Sequence, residues 1–160
     1  LHLLGSGSIL NEALKAADIL KKDFNIFSEV WSVTSYKQLY DNAIETERQN
    51  RLSDGQAQSY IEEAVGKEPG IFIAASDYVK ALPLSVSKWF PGTFEALGTD
   101  GFGLSEHRDE LREHFEVNAK HLVWTALLAL NKQKKLDKKT LKEAKERLQI
   151  NSEKQSPTRS

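Results

Sequence analysis

The chain contains no cysteine. Disulfides, thiolate nucleophiles and sulfur-ligated metals are therefore excluded. It contains no methionine either, so the usual start residue is missing. The chain opens on Leu1-His2-Leu3-Leu4, which reads as the inside of a strand, and a piece of a longer polypeptide is expected. No apolar run is long enough for a membrane span. The most apolar stretch, His121–Leu130 (HLVWTALLAL), suits a buried helix. A signal-peptide pattern is also missing. Charge of one sign is lacking too. Lys and Arg total 22 against 23 Asp and Glu, so the whole chain has no bias toward nucleic acid or an acidic membrane surface.

What is present is ordinary for a soluble globular domain. The 160 residues are 39% hydrophobic and 28% charged, enough for one domain with a proper core. The hydrophobic pattern alternates between strand and helix. Leu1–Leu4 is a short apolar run, and Gly5-Ser6-Gly7-Ser8 is a turn. Ile9, Leu10, Ala13, Leu14, Ala17 and Leu20 then form one helical stripe. Val30–Val33 reads as a second strand. Thr34-Ser35 offers a cap for a helix through Tyr36, Leu39, Tyr40, Ala43 and Ile44. Ser53–Gln58 reads as a loop, Tyr60–Val65 as a short helix and Pro69-Gly70 as a turn.

Ile71–Ala75 (IFIAA) is continuously apolar, as in a strand covered on both faces. Ser76-Asp77 is expected to start a helix that Pro83 breaks or kinks. Phe94–Leu97 is the fourth strand. Helices are expected from about Ser105 to Phe115, with Ser105 as cap, from about Asn118 to Leu130, and from Asp137 to about Leu148. Residues 1–151 then form one domain, with 152–160 as a flexible tail. Four strand–helix alternations predict an α/β fold of three layers, with a mostly parallel four-stranded sheet between helices.

In such sheets ligands bind beyond the carboxyl ends of the strands. Those ends are polar here: Ser6 and Ser8, Thr34-Ser35, Ser76-Asp77-Tyr78, and Thr99-Asp100. Two readings stand side by side. Either each residue serves only as a cap or turn, or Ser6, Ser76, Asp77, Thr99 and Asp100 form an effector-binding edge. Gly5-Ser6-Gly7 lacks the third glycine of a dinucleotide loop, since Leu10 holds that place. Gly98–Gly103 has the wrong order for that fingerprint and no Lys-Ser/Thr follows it. Asp100, Glu106, Asp109 and Glu110 would repel a phosphate. Gly98, Gly101, Phe102 and Gly103 are therefore read as a structural loop with Phe102 as a buried anchor. His107 and His114, two helical turns or about 10 Å apart, are too distant to share a metal. Asp77 beside Tyr78 is weighed as an acid–base pair and read as a helix cap. The basic run Lys132–Lys139 has no interleaved aromatics and reads as solvated. No catalytic, cofactor-binding or metal-binding residue emerges.

Several stretches together resemble one family in order and spacing. They are LLGSGSIL at Leu3–Leu10, EVWSVTS at Glu29–Ser35, ETERQN at Glu45–Asn50, ASDYVK at Ala75–Lys80 and LGTDGFGLSEHRDELREHFEV at Leu97–Val117. The chain resembles the C-terminal domain of the homodimeric, bacterial-type pyruvate dehydrogenase first component, within the transketolase C-terminal-like superfamily. It departs from that pattern at Gln49, where the family has tryptophan, at Val79 (methionine) and at Leu104 (arginine). Leu52–Tyr60 lacks the family's Pro-Arg and looks shortened. The resemblance implies a mixed five-stranded sheet whose antiparallel strand precedes the first strand seen here. It implies a bacterial cytoplasmic parent enzyme that decarboxylates pyruvate with thiamine diphosphate and Mg²⁺. That enzyme acetylates the lipoyl group of dihydrolipoyl acetyltransferase. The cofactor is expected in other domains, leaving this one to support the homodimer, contact the preceding domains and serve as a candidate site for a regulator. A transketolase acting on sugar phosphates and a stand-alone ligand-sensing module are the alternatives.

Overall fold

The computed structural model describes residues 1–101 and 105–159. Four strands, β1 (His2–Gly5), β2 (Glu29–Ser32), β3 (Gly70–Ala75) and β4 (Gly92–Leu97), form one sheet in the order β2-β1-β3-β4. All pairings are parallel, with Leu3 opposite both Val30 and Ile73, and Ala74 opposite Ala96. Each crossover carries helix: α1 (Leu10–Phe24), then α2 (Tyr36–Ser53) with α3 (Tyr60–Val65), then the single turn α4 (Ala81–Leu84). Three helices follow the sheet: α5 (Arg108–His114), α6 (Ala119–Lys132) and α7 (Lys138–Arg147).

Side chains alternate across a strand, so the apolar runs split between two cores. Leu3, Ile71, Ile73 and Ala75 pack against Ile9, Ala13, Ala16 and Leu20 on the α1 side and Leu122, Val123, Ala126 and Leu127 of α6. Leu4, Phe72 and Ala74 face the other way, onto Tyr36 and Ala43 of α2, Ile61 of α3, and Val86, Trp89 and Phe90. Both faces are covered, which is why Ile71–Ala75 carries no polar residue. The expected three-layer α/β/α architecture is therefore present, and strand bounds differ from the expected ones by a residue or two.

The caps explain most helix starts. Ser35 accepts from Gln38 N, Asn118 from His121 N and Asp137 from Thr140 N. Two expectations fail. The helix after β3 starts at Ala81 rather than Ser76-Asp77, and Lys80 precedes it without a side-chain cap. Ser76 N instead bonds the Leu97 carbonyl, and Tyr78 bonds Ser6 and Thr99. Pro83 does not break this turn; it sits near its start, where its missing N–H would have had no partner. Likewise Ser105 is not the cap of α5. His107 precedes the first turn in extended conformation and makes no side-chain cap bond, while Asp109 and Glu110 supply the favourable charge. The last residues, read from sequence as a tail, run back to α5 and end in a 3-10 turn, Pro157–Arg159.

Candidate functional site

The carboxyl ends of β1, β3 and β4 meet at one edge of the sheet. The chain leaves β1 on one side toward β2 and returns to β3 on the other, so Ser6 and Ser76 flank the point where strand order reverses. Both are buried, at 4% and 0% exposure. Ser6 N donates to the Ala75 carbonyl (3.1 Å) and Ser76 N to that of Leu97 (3.2 Å), which ties the three strand ends together.

Tyr78 is the hub of this edge. Its hydroxyl lies 2.5 Å from Ser6 Oγ. Its carbonyl accepts from Ser76 Oγ (3.4 Å) and from Thr99 N (3.0 Å). Gly98 passes so near that a Cβ there would lie 2.5 Å from the Tyr78 carbonyl oxygen. Asp100 closes the ring. Its Oδ1 accepts from Lys80 N at 2.9 Å, and its Oδ2 lies 3.4 Å from Lys80 Nζ. Ser6, Ser76, Thr99 and Asp100 are thus gathered around residues 78–80. Ser6 holds the N-cap position of the 3-10 turn Gly7–Ile9, its carbonyl accepting from Ile9 N (3.2 Å), but its side chain makes no cap bond; Asp77 directly precedes no helix. The Ser6 hydroxyl is bonded to Tyr78, and exposed Asp77 lies beside Gly7, with a Cβ on that glycine 3.7 Å from both carboxylate oxygens. A carboxylate therefore already sits beside the turn that a phosphate loop would use.

The larger cleft at this edge, about 570 Å³, is walled by Ser8, Asp77, Thr99, Gly101, Arg108 and Arg112 among others. Arg112 is committed elsewhere: its guanidinium pairs with Glu12 (3.1 Å) and reaches Ser8 Oγ (3.4 Å). Glu12, only 5% exposed, also accepts from Lys15 Nζ (2.9 Å) and Ala119 N (3.0 Å). Burial opposes its ionisation, but these bonds and the charges of Lys15 and Arg112 outweigh burial and hold its carboxyl below the ordinary value. Asp77 and Glu106 balance Arg108 and Arg112 around the cleft, so it offers no net cationic cradle.

The second-strand polar pair lies apart. Ser35 caps α2, and Thr34 joins Trp31, Val33, Tyr60 and Phe90 around a separate groove of about 460 Å³. Tyr36 is buried to 1% with no partner for its hydroxyl among the described residues; burial, then the charge of Tyr78, pushes its pKa strongly up. The four histidines occupy four unrelated places. His2 stacks on Phe72, His107 precedes α5, His114 ends it, and His121 Nδ1 meets Asn118 Oδ1 at 2.7 Å. Among the described residues no three His, Asp or Glu side chains converge as metal ligands.

Of the loop residues, Gly98 has the close approach given above, and Gly101 has φ +116, open to glycine. Phe102, Gly103 and the departure at Leu104 lie outside the described residues. Gln49 donates to Glu45 on the exposed face of α2, and Val79 is solvent-exposed. Where the family's Pro-Arg is missing, Asn50 closes the loop with two bonds to Ala57, both 2.9 Å. Sequence reasoning missed Tyr78 as a hub and the Glu12–Arg112 pair. Neither has a local signal, because the partners of each lie 72 and 100 positions apart.

The family model described as the transketolase-like TK C-terminal domain matches residues 1–118, a span holding all four strands and the whole edge. The chain belongs to the transketolase C-terminal domain family. The split-gene transketolase solved as an inactive β4 tetramer shares this domain's fold, with a TM-score of 0.55 over 81% of this chain and 39% of that one, at 18% identity. The domain is also similar to proteins named pyruvate dehydrogenase E1 component. That of Pseudomonas aeruginosa is 42% identical and that of Escherichia coli 39%, each over 98% of this chain. A more distant one, from Mycolicibacterium smegmatis, is 35% identical over 93%. The chain spans 18% of the length of the first two relatives.

Proposed function

We propose that this transketolase C-terminal domain belongs to a bacterial pyruvate dehydrogenase first component. One observation carries the reading. The family match stops at residue 118, yet the likeness to the E1 components runs over 98% of the chain, through α6 and α7. The fold likeness to the split-gene transketolase covers less of the chain, 81%, and at only 18% identity. In this reading the parent enzyme decarboxylates pyruvate with thiamine diphosphate and Mg²⁺ in the bacterial cytoplasm. It then acetylates the lipoyl group of dihydrolipoyl acetyltransferase.

The cofactor sits in other domains. The cleft at the strand ends has balanced charge, with no net cationic cradle for a diphosphate. This domain supports the homodimer and the preceding domains. Ser6, Ser76, Asp77, Thr99 and Asp100 form its edge toward a regulator or neighbour.

Two measurements test the reading. The full-length protein should reduce an artificial electron acceptor with pyruvate and not with ketose phosphates; the reverse preference would make it a transketolase. The isolated 160-residue chain should show no pyruvate decarboxylation and no calorimetric binding of thiamine diphosphate with Mg²⁺. Tight binding would overturn the division of labour.

A further inference from the structure

The C-terminal segment is attached to the strand-end edge in an unusual way. Lys154 Nζ donates to the carbonyls of Glu113 and His114, the last of them at 2.9 Å, and lies 3.6 Å from Glu116 Oε1. One ammonium thus meets the carbonyl end of α5 and a carboxylate, where the helix dipole favours a cation. Three residues on, the Pro157 carbonyl lies against Gly101: a Cβ there would be 2.5 Å from the oxygen. Ser156 Oγ meets Thr158 Oγ1 at 2.8 Å, which holds the bend between these two anchor points.

Under this segment is a cleft of about 250 Å³ lined by Lys80, Asp100, Phe115, Glu116, Lys154 and Thr158 among others. Phe115 also walls the larger cleft of about 570 Å³. The two clefts are therefore neighbours across one ring. Among the described residues, none beyond Leu148 belongs to either hydrophobic core or packs against it. The segment rests on polar contacts, and such elements open at lower free energy than the cores they cover.

We propose that Lys154–Thr158 is a releasable strap over the strand-end edge. Docked through Lys154, it closes the smaller cleft. Released, it joins that cleft to the larger one across Phe115 and bares Gly98–Gly101. Hydrogen exchange read by mass spectrometry on the full-length protein tests this, comparing wild type, Lys154→Met and a truncation ending at Asn151. The reporters are peptides holding the Thr99 amide, bonded to Tyr78, and the Glu116 and Val117 amides, bonded to Glu113 and Arg112. The expected result is exchange faster by about tenfold at these amides in both variants, with β3 amides unchanged. Wild-type rates in Lys154→Met would overturn the proposal. So would a uniform rise that includes β3, since the segment would then belong to the cooperative core.

Discussion

Glu12 shows how one buried carboxylate joins distant parts of this chain. It sits in α1, takes Arg112 from α5, and accepts the Ala119 N–H that opens α6. Arg112→Met would leave Glu12 buried with one cation fewer. A buried charge that loses its partner costs on the order of 2–4 kcal/mol. Urea denaturation should show that loss. Glu12→Gln should lose less, because an amide oxygen still accepts from Ala119. Equal losses would mean that the pair contributes no charge-specific stabilisation. A similar argument applies at Gly98. The Tyr78 carbonyl occupies the space a methyl needs, so Gly98→Ala should cost about 1–3 kcal/mol through forced displacement of the backbone.

At the scale of elements, the shortest helices depend most on their ends. α3 has six residues, too few to persist alone. Ser59 and Glu62 exchange bonds at its start, with Ser59 N donating to Glu62 Oε2 at 2.8 Å. Ser59→Ala removes half of this box at a buried site and should cost about 1–2 kcal/mol. An unchanged melting temperature would show that Ile61 packing alone holds α3. The caps Ser35, Asn118 and Asp137 were legible in the sequence because each lies three residues before its acceptor's donor. The stretch after β3 was misread because Ser76-Asp77 has cap chemistry. Its hydroxyl and backbone are spent on Tyr78 and Leu97 instead, a choice local pattern does not contain.

For the whole molecule, acid should destabilise the fold in two stages. Burial, chiefly, lowers the pKa of His2 and of His121 below 6.5. As pH falls through that value the unfolded chain binds protons that the folded chain resists, so stability drops. Further down, Glu12 and Glu113, whose carboxyls are held low in the fold, must protonate, and the stability they contribute is lost in turn. The urea midpoint should therefore be lower at pH 5.5 than at pH 7.5, and His121→Gln should flatten that slope. A midpoint that rises on acidification would contradict these environments. The sheet has two outer strands: β2, where Glu29 lies 3.1 Å from His2 Nδ1, and β4, where Glu95 lies 3.6 Å from Lys132 Nζ. Such edges invite pairing with other chains.

Periodicity determined the α/β class, the four strands and the two-sided core, and local residue chemistry the caps Ser35 and Asp137. Each of these follows from contacts between near neighbours and from the burial of apolar faces. The same residues argued against a phosphate loop, through the order of their glycines and the acids around Gly98–Gly103. Tertiary structure decided the rest. It made Tyr78 the centre of the strand-end edge, turned Asp77 toward Gly7, and brought Lys154 to the end of α5. Those partners lie tens of residues apart, so only the packing of the sheet and helices brings them together.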